Sequence, residues 1–235
     1  MRSAVIWLVN GNDLPDHCLP SFLAYLSQEE VRRYQRFVRP VRQREYLVGR
    51  VLLRFAVAGL TAIAPDEVGV VERSNNAPLL VLPGTTACHP WFSLSHSRGW
   101  VACAISADTP LGLDIEALDG SRDLDGLGLA AFSAAENSWL SSHAGAARIA
   151  AFYDLWSGKE ALYKLMSNTD NSSAMPELVA GGVKLASGPD WHVRKLPHPE
   201  FAISLCSLDP LASIGLTSLA GETPAAWSAA MRSSA

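Results

Sequence analysis

The chain alternates between segments with helical spacing of apolar residues and short apolar runs that end at turn residues. Helical spacing is clearest over residues 42–58, which predicts a helix there. Two capping boxes, Ser27 with Glu30 and Ser133 with Glu136, predict further helix starts. A fourth helix is predicted over about residues 146–165. The apolar positions of the helix at 42–58 are Leu47, Val51, Phe55 and Ala58.

Short apolar runs predict strands in both halves of the chain. The N-terminal run is read as a first strand, and a turn at 96–99 is expected to join two later strands as a hairpin. Helices followed by strands therefore occur twice, which is typical of an α+β fold. The remaining strands are predicted at 68–73, 78–82, 91–95, 100–105, 111–116, 182–185, 191–196 and 201–205.

This repeated pattern predicts two α+β lobes. The boundary is placed at Asp108–Pro110, so the N-terminal lobe covers residues 1–107 and the C-terminal lobe covers 108–220. Residues 221–235 are rich in alanine and serine, and we expect this tail to be frayed.

Composition excludes several classes of protein. With 235 residues, 49% hydrophobic and 18% charged, the chain can form a real core and is not wholly disordered. The net charge of −4 argues against nucleic acid as a partner, and no apolar run is long enough to span a membrane. The four cysteines form no C-x-x-C pair, so reduced thiols in a cytoplasmic protein are expected. The histidines outside residue 96 show no metal-ligand spacing.

Basic residues concentrate in one segment of this acidic chain. Residues 28–54 contain eight arginines and three glutamates, a local balance of +5. Such a patch favours a small polyanionic ligand, and the alternative is a set of solvated helix faces.

Three short motifs carry candidate chemistry, and each has a plain structural alternative. Asp114 and Glu116 share one face of a predicted strand and suit Mg²⁺, or form an exposed acidic edge. Glu160 and Lys164 share one helix face and could add a third carboxylate and a phosphate contact, or form a surface ion pair. The strand end F-S-L-S-H-S, residues 92–97, could hold a phosphate or be a polar turn.

The three motifs together, in order, resemble the 4′-phosphopantetheinyl transferase superfamily. The motifs are F-S-L-S-H-S at 92–97, G-L-D-I-E at 112–116 and W-S-G-K-E-A-L-Y-K at 156–164. The spacing is similar to the surfactin-synthetase-activating (Sfp-like) type, a monomer of two similar α+β lobes related by a pseudo-twofold axis, with the active site between them. The resemblance implies transfer of 4′-phosphopantetheine from coenzyme A to a serine of an acyl or peptidyl carrier protein, which releases adenosine 3′,5′-bisphosphate.

The resemblance also implies roles for individual residues. Asp114, Glu116 and Glu160 would bind Mg²⁺, or Mn²⁺, against the pyrophosphate. Glu160, directly or through a metal-bound water, would take the proton of the carrier serine, and Lys164, with Lys159, would stabilise the departing phosphate. The expected contacts to the nucleotide 3′-phosphate are Ser95, His96, Arg33, Arg36 and Arg44.

Two departures and two alternatives accompany this interpretation. Asn76-Ala77-Pro78 stands where the family often has a basic turn, so a nucleotide contact is missing unless Arg73 replaces it. Ser167–Ser173 replaces a glycine-bearing loop. The alternative functions are a Mg²⁺-dependent phosphohydrolase and a non-catalytic module that binds carrier proteins.

Overall fold

The computed structural model describes residues 1–61, 63–74, 76–84, 89–171, 173–180, 183–185 and 187–233. The strands are β1 (Ser3–Asn10), β2 (Gly69–Arg73), β3 (Asn76–Val81), β4 (Trp91–Ser97), β5 (Trp100–Ser106), β6 (Leu111–Ala117), β7 (Val179–Ala180), β8 (Val183–Leu185), β9 (His192–Leu196), β10 (Phe201–Ser207) and β11 (Ser213–Leu219). The helices are α1 (Leu19–Leu23), α2 (Gln28–Gln35), α3 (Pro40–Leu60), α4 (Leu124–Ala131), α5 (Ala134–Ser141), α6 (Gly145–Asn168) and α7 (Pro224–Ser233).

The chain forms two compact units, each of mixed helix and sheet, so the α+β fold class is confirmed. Unit 1 contains residues 1–109 and 211–235, and unit 2 contains residues 110–210. These bounds differ from the predicted lobes of 1–107 and 108–220, because the chain returns to unit 1 after Pro210.

Unit 1 is built on a four-stranded sheet in the order β11-β1-β5-β4. The β1–β11 pair is parallel, while β1–β5 and β4–β5 are antiparallel. Helix α3 lies against this sheet and buries the predicted apolar positions Leu47, Val51 and Phe55. The predicted hairpin at 96–99 is confirmed, with Ser97 opposite Trp100.

The C-terminal segment corrects the expectation of a frayed tail. Strand β11 pairs with β1 over Ser213–Leu219, and helix α7 follows it. The Trp227 side chain is fully buried and packs edge-on against Phe22, with 4.9 Å between ring centroids. One buried aromatic side chain therefore fixes a segment whose composition suggests disorder.

Arg50 and Arg54 do not belong to a solvated helix face. Both side chains are buried on α3, and Arg54 donates to the buried Glu30 carboxylate of α2 at 2.5 Å. Arg50 contacts Glu72. Part of the predicted basic patch is therefore internal, where ion pairs join α2 and α3.

Unit 2 is a three-stranded antiparallel sheet, β6-β10-β9, against which the long helix α6 packs. Its core includes Phe152, Tyr153, Leu162 and Cys206. The capping box Ser133–Glu136 opens α5 as predicted. The predicted strand at 182–185 is present as Val183–Leu185, while Gly182 lies outside the described residues.

Cysteines 18, 103 and 206 are free thiols and buried, as expected for reduced core residues. Cys88 lies outside the described residues.

Candidate functional site

The candidate site of unit 2 depends on a close approach between α6 and the sheet. Gly112 on β6 faces the helix, and a Cβ atom at this position would lie 2.0 Å from the Ala161 carbonyl oxygen. On β10, the Ser204 hydroxyl forms a 2.8 Å hydrogen bond with the Ser157 hydroxyl of α6. Small residues on the sheet and on α6 therefore allow the helix backbone to lie close to β6. Side chains of α6 can then reach Asp114, the next residue on the same face of β6 as Gly112.

Asp114 and Lys164 meet at this interface. The Lys164 ammonium group donates to Oδ1 of Asp114 at 2.7 Å and to the Leu113 carbonyl oxygen at 3.0 Å. Asp114 is buried, and Lys164 retains about a quarter of its side-chain exposure (27%). The Lys164 side chain is therefore partly accessible to solvent.

Glu160 lies one helical turn before Lys164 and is electrostatically coupled to the same pair. Burial raises the pKa of the Glu160 carboxyl above its usual value, the Asp114 carboxylate raises it further, and Lys164 partly offsets both effects. Glu116 follows Asp114 by two residues, so strand geometry directs both side chains to one face of β6. Three carboxylates and one ammonium group thus share one side of the sheet.

This donor set suits a hard divalent cation. Mg²⁺ prefers carboxylate and water oxygens, and a cation among like-charged carboxylates relieves the repulsion that raises the Glu160 pKa. Asp114, Glu116 and Glu160 are the residues that could hold it. Lys164 already neutralises Asp114, and the same ammonium group could contact an anionic ligand.

Lys159, predicted as a phosphate contact, has a different partner. Its ammonium group donates to both carboxylate oxygens of Glu136 at 2.8 Å. Glu136 is fully buried, caps α5 through Ser133, and accepts the Leu178 backbone N–H at 2.9 Å. This pair joins α5, α6 and the segment that leads into β7, so Lys159 has a structural role here.

We expect Glu136→Gln to destabilise the protein by about 3 kcal/mol at pH 7, because it leaves the mostly buried Lys159 ammonium without its counter-charge. Burial opposes ionisation of Glu136, but the Lys159 ammonium and the Leu178 and Ser133 N–H groups outweigh it and lower the pKa. This stabilisation is present above the unfolded-state pKa of about 4.3 and is lost as pH falls through the lower folded-state value. Urea denaturation of wild type and Glu136→Gln from pH 7 to pH 3 measures the free energy of unfolding of each protein. The difference between the two values should become smaller as the pH falls.

A constant difference between wild type and Glu136→Gln across that pH range would contradict this account. Glu177→Gln is the matched control in the same unit, since Glu177 is exposed, and it should change stability by less than about 0.5 kcal/mol.

The candidate anion site of unit 1 centres on His96 at the end of β4. The buried Glu45 carboxylate lies beside it: Oε2 accepts from Arg42 at 2.7 Å and lies 3.5 Å from Nδ1 of His96, while Oε1 accepts the Gly99 N–H at 2.9 Å. The Arg42 guanidinium also contacts the imidazole ring. The His96 side chain remains 43% exposed and is presented to solvent with Arg42.

Ser95 does not share this surface. Adjacent residues of a strand point to opposite faces, and Ser95 is buried while His96 is exposed. The two side chains therefore do not present one common phosphate contact, contrary to the grouping suggested by sequence.

The three predicted arginines lie in different surroundings. Arg44 is directed inward and donates to the Gly11 carbonyl oxygen at 3.3 Å, to the Leu14 carbonyl oxygen and to the Asp16 carboxylate, so it fixes the segment after β1. Arg33 pairs with Glu72 at 3.1 Å. Arg36 lines an open cavity of about 550 Å³ whose other lining residues are Glu29, Arg32, Arg33 and Phe37.

Arg73, considered as a replacement for the missing basic turn, donates from Nε to the Ala77 carbonyl oxygen at 2.6 Å across the β2–β3 hairpin. This contact fixes the hairpin.

Sequence reasoning missed three residues of these clusters. Glu45 and Arg42 belong to the arginine-rich segment, but a lone glutamate among arginines gave no signal that it would bind a hairpin turn 54 residues away. Glu136 was recognised only as a capping residue. The capping box was the only sign in the sequence that Glu136 has a structural role. Its ion pair with Lys159 became visible only in the folded structure.

Within the described residues, no helix combines the length and apolar character needed to cross a bilayer.

Comparison with known proteins gives a consistent result for both units. Residues 110–209 match the family model described as the 4′-phosphopantetheinyl transferase superfamily. Residues 16–108 match the model of the 4′-phosphopantetheinyl transferase N-terminal domain.

Curated relatives carry the same description. The chain is 28% identical over 191 residues to the 4′-phosphopantetheinyl transferase HetI of a Nostoc species, covering 78% of each chain. It is 33% identical over 124 residues to AcpT of Salmonella typhimurium, covering 53% of this chain and 59% of that protein. It is 34% identical over 143 residues to psf-1 of Bacillus pumilus, covering 60% and 58%. The matched region therefore spans most of HetI and somewhat more than half of the other two.

Proposed function

Because the chain belongs to the 4′-phosphopantetheinyl transferase superfamily, we propose that it transfers 4′-phosphopantetheine from coenzyme A to a serine of an acyl or peptidyl carrier protein. The enzyme class is the one named for HetI and psf-1. The observation that carries the proposal is the cluster of Asp114, Glu160 and Lys164, where α6 meets β6 within the matched residues 110–209. The other product is adenosine 3′,5′-bisphosphate.

The reaction breaks one phosphoanhydride bond and forms one phosphate ester. The carrier serine oxygen attacks the phosphorus that bears pantetheine, and the bond to the adenosine-bearing phosphate breaks. The serine proton is lost, and the leaving group gains negative charge. Such transfers depend mainly on positioning and charge neutralisation, so this chain need not supply a nucleophile.

Charge neutralisation is assigned to unit 2. Asp114, Glu116 and Glu160 would hold Mg²⁺, which when bound offsets the negative charge of the pyrophosphate. The partly exposed Lys164 ammonium, anchored by Asp114 and the Leu113 carbonyl oxygen, contacts the departing phosphate. Glu160 takes the serine proton, because its carboxylate on α6 shares this cluster with Asp114 and Lys164.

The nucleotide 3′-phosphate is assigned to His96 and Arg42 of unit 1. Glu45 positions both side chains without reaching the ligand, since it is buried and bonded to the hairpin through Gly99. Arg36 and the neighbouring exposed arginines of the 550 Å³ cavity add positive charge on the same unit. We further propose a cytoplasmic monomer whose substrates are coenzyme A and the carrier protein.

Glu45→Gln is expected to raise the KM for coenzyme A about tenfold with little change in kcat, because one charge-assisted contact to Arg42 and His96 is lost. The amide oxygen still accepts the Gly99 N–H, so the hairpin is retained. The same variant should have nearly unchanged kinetics with 3′-dephospho-coenzyme A, which lacks the phosphate.

Equal effects on both nucleotides would rule out a positioning role of Glu45 toward the 3′-phosphate. Asp66→Asn supplies a matched loss of one negative charge at an exposed position of unit 1 and should leave both KM values unchanged.

Transfer itself is tested by intact-protein mass spectrometry of an apo carrier protein incubated with this protein, coenzyme A and Mg²⁺, with an EDTA control. A metal-dependent gain of one phosphopantetheine supports the proposal. Coenzyme A consumed without carrier modification would instead indicate a phosphohydrolase. Intact coenzyme A and unmodified carriers, with carrier binding retained, would indicate a non-catalytic module.

A further inference from the structure

The segment after β1 places two metal-binding side chains next to each other. His17 and Cys18 end a short 3₁₀ turn, Asp16–Cys18, whose conformation is closed by the Cys18 N–H donating to the Pro15 carbonyl oxygen at 3.0 Å. Arg44 ties the start of this turn to α3 through Asp16 and the Leu14 carbonyl oxygen. Cys18 is only 9% exposed, while the neighbouring His17 is exposed.

A third side chain reaches this turn from the other end of unit 1. Glu222 precedes α7, and its position is set by Trp227, whose Nε1–H donates to the Gly221 carbonyl oxygen at 3.0 Å. The fully buried Trp227 ring packs on Phe22 of α1, four residues after Cys18. Gly221 has φ = +113°, a conformation open to glycine that allows the chain to turn into α7 here.

The nitrogen, sulfur and oxygen ligand atoms of His17, Cys18 and Glu222 lie within 4.8 Å of one another. We propose that these three residues bind a divalent cation of the zinc type, at a site distinct from the carboxylates of unit 2. The thiol is buried, whereas the imidazole and the carboxylate are exposed, so solvent water would supply the fourth ligand of the proposed site.

The ligand chemistry selects the metal class. A thiolate with an imidazole favours Zn²⁺ or Co²⁺, whereas Mg²⁺ prefers a set of oxygens and binds thiolate poorly. The site therefore differs in selectivity from Asp114, Glu116 and Glu160, whose ligands are all oxygens. Binding requires loss of the thiol proton from Cys18, which is released to solvent when the metal–sulfur bond forms.

A cation at this site would connect the two ends of unit 1. Residues 17 and 18 precede α1, and residue 222 follows β11, so the metal would join segments that are about 200 residues apart in sequence. A metal that binds the folded chain and not the unfolded chain raises stability by mass action. At saturating Zn²⁺ we expect Tm to rise by about 5 °C.

The experiment is a Co²⁺ titration of the reduced full-length protein, followed by absorption spectroscopy. A near-ultraviolet thiolate-to-cobalt charge-transfer band is expected, and Zn²⁺ should displace it. Cys18→Ser should abolish the band, and Glu222→Gln should weaken Zn²⁺ binding at least tenfold. Glu222 is exposed, so this variant tests the site without disturbing the core.

Two controls separate this site from other ligands. Glu160→Gln should leave the band unchanged, because the unit 2 carboxylates contribute no sulfur. Absence of the band, its persistence in Cys18→Ser, or its loss in Cys88→Ser would overturn the proposal. A Zn²⁺-induced rise in Tm that is the same in wild type and Glu222→Gln would also overturn it.

Discussion

Gly112→Ala is expected to destabilise the protein by about 4 kcal/mol or more, at the upper end of single-residue effects. The new methyl group would lie 2.0 Å from the Ala161 carbonyl oxygen and 2.4 Å from the Leu165 nitrogen. Both are helix backbone atoms, so no side-chain rotation relieves the overlap, and α6 must move away from β6. Urea denaturation followed by circular dichroism measures the loss.

The same displacement should remove transferase activity even where the fold survives. Lys164 reaches Asp114 and the Leu113 carbonyl oxygen only because α6 lies close to β6. Gly59→Ala is the matched control: Gly59 is helical, and a Cβ atom there meets nothing within 4 Å. It should leave activity unchanged and stabilise by about 0.5–1 kcal/mol. Equal stability of the two variants would contradict the proposed packing.

Glu160→Gln should reduce kcat for carrier modification by roughly 10²–10⁴-fold, the usual contribution of a general base. The variant removes the proposed proton acceptor and one proposed metal ligand, while its size and helix propensity change little. Folding should be retained or improved, because the ionised carboxylate is disfavoured by burial and by Asp114. Activity is measured by carrier mass shift, and Tm is measured in parallel.

Glu200→Gln makes the same chemical change at an exposed position of unit 2 and should keep wild-type kcat. If Glu160→Gln retained wild-type turnover with an unchanged Tm, Glu160 would not be the proton acceptor. If its activity fell only together with Tm, the role of Glu160 would be structural. A large loss of kcat at constant Tm is the result that supports catalysis.

Local signals in the sequence predicted much of the secondary structure. The Ser27–Glu30 and Ser133–Glu136 capping boxes both form, because each pair satisfies backbone groups within four residues. The apolar period over 42–58 identified α3, which runs over Pro40–Leu60. The roles of the predicted site residues stay predictions, although the structure brings Asp114, Glu160 and Lys164 together.

Long-range contacts could not be read from the same patterns. Strand β11 was missed, and its hydrogen bonds go to β1, some 210 positions earlier. Lys159 looked like a phosphate contact until its pairing with Glu136 was visible. His17 showed no metal-ligand spacing, because Glu222 approaches it only through the packing of Trp227 on Phe22.

The sequence by itself determined the α+β class, the helices with local caps and the three motifs that indicate the superfamily, because those features depend on residues close together along the chain. The tertiary structure decided which charges pair. Glu136 takes Lys159 and Glu30 takes Arg54, each pair joining two helices that meet only after folding. Burial makes an unpaired charge costly, so these partners are fixed by where the packed elements place them, and no sequence period records that placement.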